Sequence, residues 1–256
     1  MRKVGLYDLA NHPTTFDIAT WCVIAKTHGA NHVQFVYDGK IGTAKYSETV
    51  AWRRFANILI PVTHLARMTY SMGPTDEEGS KYPFTTGYTI ETYKRFGRLD
   101  KLKSVLPAPA GPYTTITLRE SFRNKYRNSN VPAWMKFKKY LESRGKRVIV
   151  LPECEDDPID VLQRMALYTG AEMNLGTSSG PMALCMLSDA PYIVNNICPT
   201  DTFDATYDME KLLRQSGYWQ VQLPFAHSKQ LIGWEPDTYE NIVREYESLM
   251  DERVAA

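Results

Sequence analysis

The fold of this chain is decided by the stretch Ala171-Glu172-Met173-Asn174-Leu175-Gly176-Thr177-Ser178-Ser179-Gly180-Pro181-Met182-Ala183-Leu184. A short apolar segment (171–175) predicts a strand, the glycine and hydroxyl residues after it predict a turn (176–181), and the apolar residues that follow predict a helix. A further apolar segment (191–195) predicts the next strand. This order of strand, turn, helix and strand is typical of a parallel sheet covered by helices.

The same alternation extends over most of the chain. Upstream it predicts, in chain order, a strand at 3–8, a helix at 16–28, a strand within 31–39, a helix at 47–59 that Pro61 interrupts, a strand at 113–118, a helix at 132–144, a strand at 147–151 and a helix at 158–168. Residues 72–112 are rich in Gly, Pro, Tyr and charge, and we expect only short regular pieces there. That region is either a lid or an irregular excursion of the chain.

A proline-rich linker at 107–112 marks the best candidate for a domain boundary. We therefore expect an N-terminal domain at 1–106 and a C-terminal domain at 113–235. An amphipathic helix within 236–256 is expected to brace the fold. The predicted fold class is α/β, with two Rossmann-like parallel-sheet layers that face a cleft.

Composition narrows the classes of function. The 256 residues include 30 Lys and Arg against 29 Asp and Glu, a net charge of +1, whereas a general nucleic-acid binder has a basic excess. No apolar run approaches the roughly 18 residues that span a bilayer, and Asp8 comes too early for a signal peptide. The four cysteines are widely spaced, which argues against structural zinc or a disulfide framework and favours the cytoplasm.

The predicted turn at 176–181 is the strongest candidate for a ligand site, because ligands of parallel sheets bind beyond the carboxyl ends of the strands. Its hydroxyls, its amides and the start of the following helix favour phosphate. The candidate binding residues there are Thr177, Ser178, Ser179, Gly180 and Pro181. The alternative is that they only cap a core helix.

A basic segment follows the strand at 113–118. Arginine forks bind phosphate oxygens in pairs, and Arg119 is favoured because it directly follows the strand. The candidate binding residues in this segment are Arg119, Arg123, Arg127 and Asn128. The alternative is a solvated basic loop that pairs with Glu120 or with the acidic stretch at 153–157.

Carboxylates follow two other predicted strands. Glu153 comes two residues after a buried strand and can accept hydrogen bonds from ribose hydroxyls or an exocyclic amine, while Asp156 or Asp157 can cap the next helix. Asp8 and His12 lie in the first strand-to-helix loop, where a general base for a hydroxyl is expected. The alternative for the first loop is ordinary turn chemistry. No D-x-D triplet is present, so no metal is expected.

Taken together, the second half resembles the donor-binding domain of GT-B glycosyltransferases, most nearly the heptosyltransferase-like group. In that group a strand, a short G-x-x-S-G-P turn, a helix of small residues and a strand beginning with Pro hold the diphosphate of a sugar nucleotide. Here the stretch 171–184 is followed by Ala190-Pro191-Tyr192-Ile193-Val194. The resemblance covers residues 113–235, although the group usually carries Asp at the position of Ser178 and His at that of Ala183.

The resemblance implies transfer of a sugar from a nucleotide-sugar donor to a hydroxyl acceptor, with no cofactor. The basic residues and the amides of 178–180 would neutralise the diphosphate leaving group. Glu153 and the loop at 195–197 would hold the nucleoside. Asp8 or His12 would activate the acceptor. The alternatives are a nucleotide-sugar hydrolase or epimerase, and a non-catalytic module that binds sugar nucleotides.

Overall fold

The computed structural model describes residues 3–12, 14–41, 46–75, 79–121, 125–153, 160–197, 214, 217, 220 and 222–251, with Tyr126 and Asp251 described by their backbone alone. The chain divides into two compact units. The first comprises Met1–Pro107 with Asp156–Met165, and the second comprises Ala108–Glu155 with Ala166–Ala256. The candidate residue Arg123 lies outside the described ranges.

The first unit is built on a parallel sheet. Its elements are β1 (Val4–Asp8), α1 (Asp17–Thr27), β2 (His32–Val36), α2 (Glu48–Arg54), a π-helical stretch (Phe55–Leu59), α3 (Ile60–Leu65), β3 (Thr69–Gly73), β4 (Ser80–Lys81) and α4 (Thr86–Phe96). The strand order is β3-β2-β1-β4, and every pairing is parallel. The order therefore reverses between β1 and β4, whose carboxyl ends flank the place where such sheets bind ligands.

Two predictions for the first unit are wrong. Pro61 does not interrupt the helix but lies in the first turn of α3, where a missing N–H is tolerated, and a π-helical stretch precedes it. The region 72–112 contains α4, a helix of 11 residues. The Thr85 hydroxyl accepts a hydrogen bond from the Tyr88 N–H at 3.5 Å at its start, and Gly97 ends it with a φ of 67°.

The second unit is built on a larger parallel sheet. Its elements are β5 (Thr114–Arg119), a 3-10 turn (Lys125–Arg127), α5 (Val131–Ser143), β6 (Val148–Glu153), α6 (Val161–Gly170), β7 (Met173–Thr177), α7 (Met182–Met186), β8 (Tyr192–Asn195), β9 (Gln230–Ile232) and α8 (Tyr239–Asp251). The first half of α6 (161–165) is grouped with the first unit and its second half with this one. The strand order is β6-β5-β7-β8-β9, again with parallel pairing throughout. The order reverses between β5 and β7, so the ends of these two strands flank the second expected ligand site.

The core of the second unit lies under α5 and α8. Trp134 and Phe137 of α5 are fully buried, and Ile242 and Tyr246 of α8 belong to the same apolar cluster. The rings of Phe137 and Tyr246 meet edge-on with their centroids 5.4 Å apart. The terminal helix is thus part of the core of this unit.

The predicted α/β class with two parallel sheets is confirmed. Within the described ranges, no helix is both long enough and apolar enough to cross a membrane.

Gly176 lies inside β7, and the turn after that strand begins at Ser178 rather than at Gly176 as predicted. A Cβ atom at Gly176 would lie 2.8 Å from the Thr117 carbonyl oxygen of the neighbouring strand, so the backbone would have to shift. We expect Gly176→Ala to lower the free energy of unfolding by about 2 kcal/mol in urea titrations. The control is Gly73→Ala in β3, where the nearest atom is 3.9 Å away, on the Gln34 side chain, and the expected change is within about 0.5 kcal/mol. Equal changes in the two variants would contradict this account of Gly176.

Candidate functional site

The segment that follows β5 returns to the sheet edge and contacts the end of β7. The Arg119 N–H donates to the Ser129 hydroxyl at 2.8 Å, and the Ser129 N–H donates to the Arg119 carbonyl at 2.9 Å. The Ser129 and Thr177 hydroxyls are 3.0 Å apart in a buried hydrogen bond. The polar residues after β5 and those at the end of β7 therefore lie together at the reversal point of the strand order.

The Asn128 side chain links the two ends of this segment. Its side-chain oxygen accepts from the Ser121 N–H at 2.7 Å, and its side-chain nitrogen donates to the Ser121 carbonyl at 3.0 Å. The Asn128 N–H donates to the Lys125 carbonyl at 3.0 Å. Because both groups of the amide bind the backbone of Ser121, Asn128 fixes the position of the neighbouring Arg127.

Arg127 directs its guanidinium group to the end of β7. Its Nη2 atom donates to the Ser178 carbonyl at 3.2 Å and lies 3.4 Å from the Ser178 hydroxyl. Both side chains are partly exposed. A positive charge with several N–H donors therefore lies at this edge of the sheet, where an anion from solvent can reach it.

Main-chain donors lie beside this charge. The Ser178 N–H donates to the Asn195 carbonyl at 3.1 Å. Within the described ranges, no hydrogen-bond partner is found for the main-chain N–H of Ser179 or Gly180, nor for the buried Ser179 hydroxyl. A buried hydroxyl without a partner is costly, so the Ser179 side chain and the two neighbouring amides suit an anionic ligand. Pro181 directly precedes α7.

Arg119 and Glu153 form an ion pair at the adjacent strand ends. Arg119 Nη1 lies 3.2 Å and 3.4 Å from the two carboxylate oxygens, and the two residues are opposite each other in the β5–β6 register. The side chains are only 7% and 12% exposed. The sequence predicts either separate ligand contacts for these residues or a pairing of the basic segment with the acidic stretch at 153–157. The observed pair agrees with the second prediction, and Glu153 balances the charge of Arg119.

Asp237 was not predicted from the sequence. Its Oδ2 atom accepts from the Asn130 N–H at 2.7 Å and from Trp134 Nε1 at 2.8 Å. Burial raises the pKa of Asp237, while these two hydrogen bonds oppose the rise. Asp237 thus holds the start of α5, directly after the segment that carries Arg127 and Ser129. No local pattern around Asp237 indicates this role, because its partners are more than 100 residues away in sequence.

In the first unit, Asp8 is the last residue of β1. Its carboxylate accepts from the Ala10 N–H at 2.9 Å, from the Asn11 N–H at 3.3 Å and from the Asn11 side chain at 2.7 Å. Burial favours the neutral acid, but these hydrogen bonds and the nearby His12 outweigh it and lower the pKa of Asp8. Asp8 is therefore ionised, and its carboxylate stabilises the loop through these hydrogen bonds.

His12 is oriented by the same loop. The main-chain N–H of His12 donates to the Asp8 carbonyl at 2.8 Å, and the Nδ1 atom of the ring lies 3.0 Å from the same oxygen. A carbonyl can only accept, so Nδ1 carries the proton and Nε2 has the free electron pair. Burial lowers the pKa of His12, the Asp8 charge opposes this, and Lys81 adds to it. The neutral ring contacts Tyr7 and Phe84, with centroids 4.6 Å and 5.2 Å away.

No group of three or more His, Cys, Asp or Glu among the described residues could hold a metal ion. The free thiols of Cys22 and Cys185 are buried, and burial raises the pKa of Cys22.

The two sheets and their strand orders define a doubly wound α/β protein with a candidate ligand site at the reversal point of each sheet. The sequence matches no model of a known protein family and no curated protein.

Two solved structures are similar to this chain. One is the iron-containing dodecameric glycosyltransferase TibC from enterotoxigenic E. coli H10407, with 15% identity and a TM-score of 0.47 over 80% of this chain and 61% of that one. The other is the dodecameric iron-containing heptosyltransferase TibC in complex with ADP-D-beta-D-heptose, with 13% identity and a TM-score of 0.46 over 80% and 62%. The chain thus spans about three fifths of the length of these structures. The similarity is one of fold, and the activities in these names belong to those proteins.

Proposed function

We propose that this protein transfers a sugar from a nucleotide-sugar donor to a hydroxyl acceptor, and that the diphosphate of the donor binds at the β5–β7 edge of the second unit. The observation that carries the proposal is the set of donors at this edge. The Arg127 guanidinium and the main-chain N–H groups of Ser179 and Gly180 lie together where a doubly wound sheet binds its ligand.

In the transfer, the bond between the anomeric carbon and the diphosphate oxygen breaks, and a bond to the acceptor oxygen forms. Negative charge grows on the leaving diphosphate, and donors that are already oriented stabilise it without reorganisation. We assign this task to Arg127 and the two amides rather than to a metal ion. The Arg119–Glu153 pair keeps the neighbouring strand ends in place.

The acceptor hydroxyl loses a proton as it attacks. We assign that proton to His12 Nε2, because the ring is neutral near pH 7 and Nδ1 is already bound to the Asp8 carbonyl. Asp8 holds the loop in this arrangement through its bonds to Ala10 and Asn11.

The test of the diphosphate site is Arg127→Gln, measured by calorimetry and thermal shift with UDP, GDP, ADP and CDP as probes. Because the variant loses hydrogen bonds from a charged donor, its affinity for the nucleoside diphosphate that binds the wild type should be about ten- to a hundredfold lower. The matched control is Arg147→Gln, because Arg147 is exposed and directly precedes β6, at the opposite edge of the same sheet. The proposal is wrong if none of the four probes binds the wild type, or if both variants bind as the wild type does.

Product analysis with the matching nucleotide sugar separates the alternative enzymes. A transferase gives glycosylated acceptor only when an acceptor is present. Free sugar formed without any acceptor requirement identifies a hydrolase, and an altered donor identifies an epimerase. Tight binding with no turnover identifies a binding module.

A further inference from the structure

A second charged surface lies at the opposite edge of the first unit's sheet. Helices in a parallel α/β unit run back from the carboxyl edge to the amino edge, so α1, α3 and α4 end at the amino edge. Asp8 and His12 lie at the carboxyl edge. The surface described next is therefore separate from the candidate site of this unit.

Two cations bind the ends of helices at this edge, and a third binds the segment that follows α4. Lys3 Nζ donates to the His28 carbonyl at 2.7 Å, after the end of α1. Lys26 Nζ donates to the Ala66 carbonyl, after the end of α3. Arg67 Nη2 donates to the Ser104 carbonyl at 3.2 Å. Cations are favoured at helix carboxyl ends, so compensation of the helix dipoles accounts for Lys3 and Lys26.

The chain after α4 adds further cations to the same surface. The Asp100 N–H donates to the Thr27 hydroxyl at 2.9 Å, and the Lys103 N–H donates to the Leu65 carbonyl at 2.9 Å. The segment therefore runs across the ends of α1 and α3. Asp100 is paired with Arg98 at 2.6 Å, and that Arg98 side chain is 62% exposed.

These residues form what we call the amino-edge patch. Its basic members are Lys3, Lys26, Arg67, Lys94, Arg95, Arg98, Lys101 and Lys103, and the carboxylates nearby in the chain are Glu91 and Asp100. Lys94 and Lys101 also interact with other groups, and even without these two, six positive charges against two are more than the helix ends require. The whole chain has a net charge of only +1, so the excess is local. Burial lowers the pKa of His28 in this patch, and Arg95 and Lys3 lower it further.

Large apolar side chains are exposed at the same patch. Phe96 at the end of α4 is 38% exposed, and Leu106 at the end of the crossing segment is 41% exposed. The Phe96 ring contacts the His28 ring at 4.8 Å and lies 5.4 Å from the Arg95 guanidinium carbon. Aromatic and aliphatic side chains surrounded by lysine and arginine are typical of surfaces that lie on anionic bilayers.

We propose that the amino-edge patch docks the protein on an anionic lipid surface. The exposed apolar side chains of the patch favour lipid over nucleic acid. Leu106 can enter an acyl layer but cannot stack on a base. This inference does not depend on the proposed sugar transfer.

The test is sedimentation of the whole protein with vesicles of phosphatidylcholine containing about 30% phosphatidylglycerol, beside vesicles of phosphatidylcholine alone. The wild type should bind only the anionic vesicles, and binding should be lost in about 0.5 M salt, where charges are screened within a few ångströms. The double variant Arg95→Gln with Lys103→Gln removes two exposed charges, and at about 1 kcal/mol each its binding should be about 30-fold weaker.

The control is Lys139→Gln with Lys229→Gln, which removes two exposed charges from the second unit and should bind as the wild type does. Phe96→Ser with Leu106→Ser keeps every charge and should also weaken binding. An unchanged melting temperature shows that each variant is folded. The proposal fails if the wild type does not bind anionic vesicles. It also fails if the Arg95 and Lys103 double variant binds these vesicles as tightly as the control variant does. It also fails if the patch binds a DNA duplex but no vesicle.

Discussion

His12→Gln is expected to lower the turnover of sugar transfer by about a hundredfold or more while leaving the affinity for nucleoside diphosphate unchanged. The reason is that Nε2 of the neutral ring is the group that accepts the proton of the acceptor hydroxyl, and a glutamine side chain has no comparable base. His12 lies in the first unit and the diphosphate donors lie in the second. Steady-state kinetics and calorimetry on the same preparations measure the two quantities.

The pH profile gives a second measure of the same group. The base must be unprotonated to act, and burial places the pKa of His12 below its ordinary value of 6.5. The wild-type kcat/KM should therefore be level near pH 7 and fall as the pH drops through the His12 pKa. His12→Gln should lack this fall. His64→Gln, which changes an exposed histidine on α3, serves as the control and should keep both the rate and the profile. Full turnover in His12→Gln would remove His12 from the mechanism.

The strands and helices of this fold could largely be predicted from the sequence, because their apolar residues follow the periods of buried strands and amphipathic helices. The strand orders could not be predicted, since alternating strands and helices are compatible with several orders. The helix α4 was missed because Thr, Tyr and Gly are poor helix formers, and its stability comes from Thr89 and Ile90 packed in the unit. Pro61 misled the prediction because proline is tolerated in the first turn of a helix.

The candidate site could be predicted in its residue types, and a pairing of the basic segment with 153–157 was one of two predictions, but the individual partners could not be predicted. A strand end followed by arginines, and another followed by serines and glycine, indicated an anion site, and Arg127 does reach Ser178 across 51 residues of sequence. The pairing of Arg119 with Glu153 spans 34 residues and depends on the β5–β6 register, which no local pattern encodes. The sequence predicts a turn at Gly176 because a strand glycine that contacts a neighbouring carbonyl cannot be distinguished from a turn glycine by sequence alone.

Asp237→Ala is expected to lower the free energy of unfolding by about 3 kcal/mol, the largest loss of stability among the variants considered. Asp237 is 5% exposed, and its Oδ2 atom accepts both the Asn130 N–H and the Trp134 indole N–H. Without that oxygen the fully buried indole N–H has no partner, and the first turn of α5 loses its bond to the segment before α8. Urea unfolding followed by circular dichroism measures the change.

The conservative variant shows which property of Asp237 stabilises the fold. Burial raises the pKa of this carboxyl, which means that the charge itself is unfavourable there and the acceptor oxygen is the stabilising group. Both hydrogen bonds end on one oxygen, so the amide oxygen of Asp237→Asn can accept both, and its cost should be only about 1 kcal/mol. Asp160→Ala removes an exposed carboxylate that accepts from the Leu162 and Gln163 N–H groups and should also cost about 1 kcal/mol. If Asp237→Asn is as costly as Asp237→Ala, the charge and not the acceptor stabilises α5. If Asp237→Ala costs no more than Asp160→Ala, the hydrogen bonds to Asn130 and Trp134 do not stabilise the segment that positions Arg127.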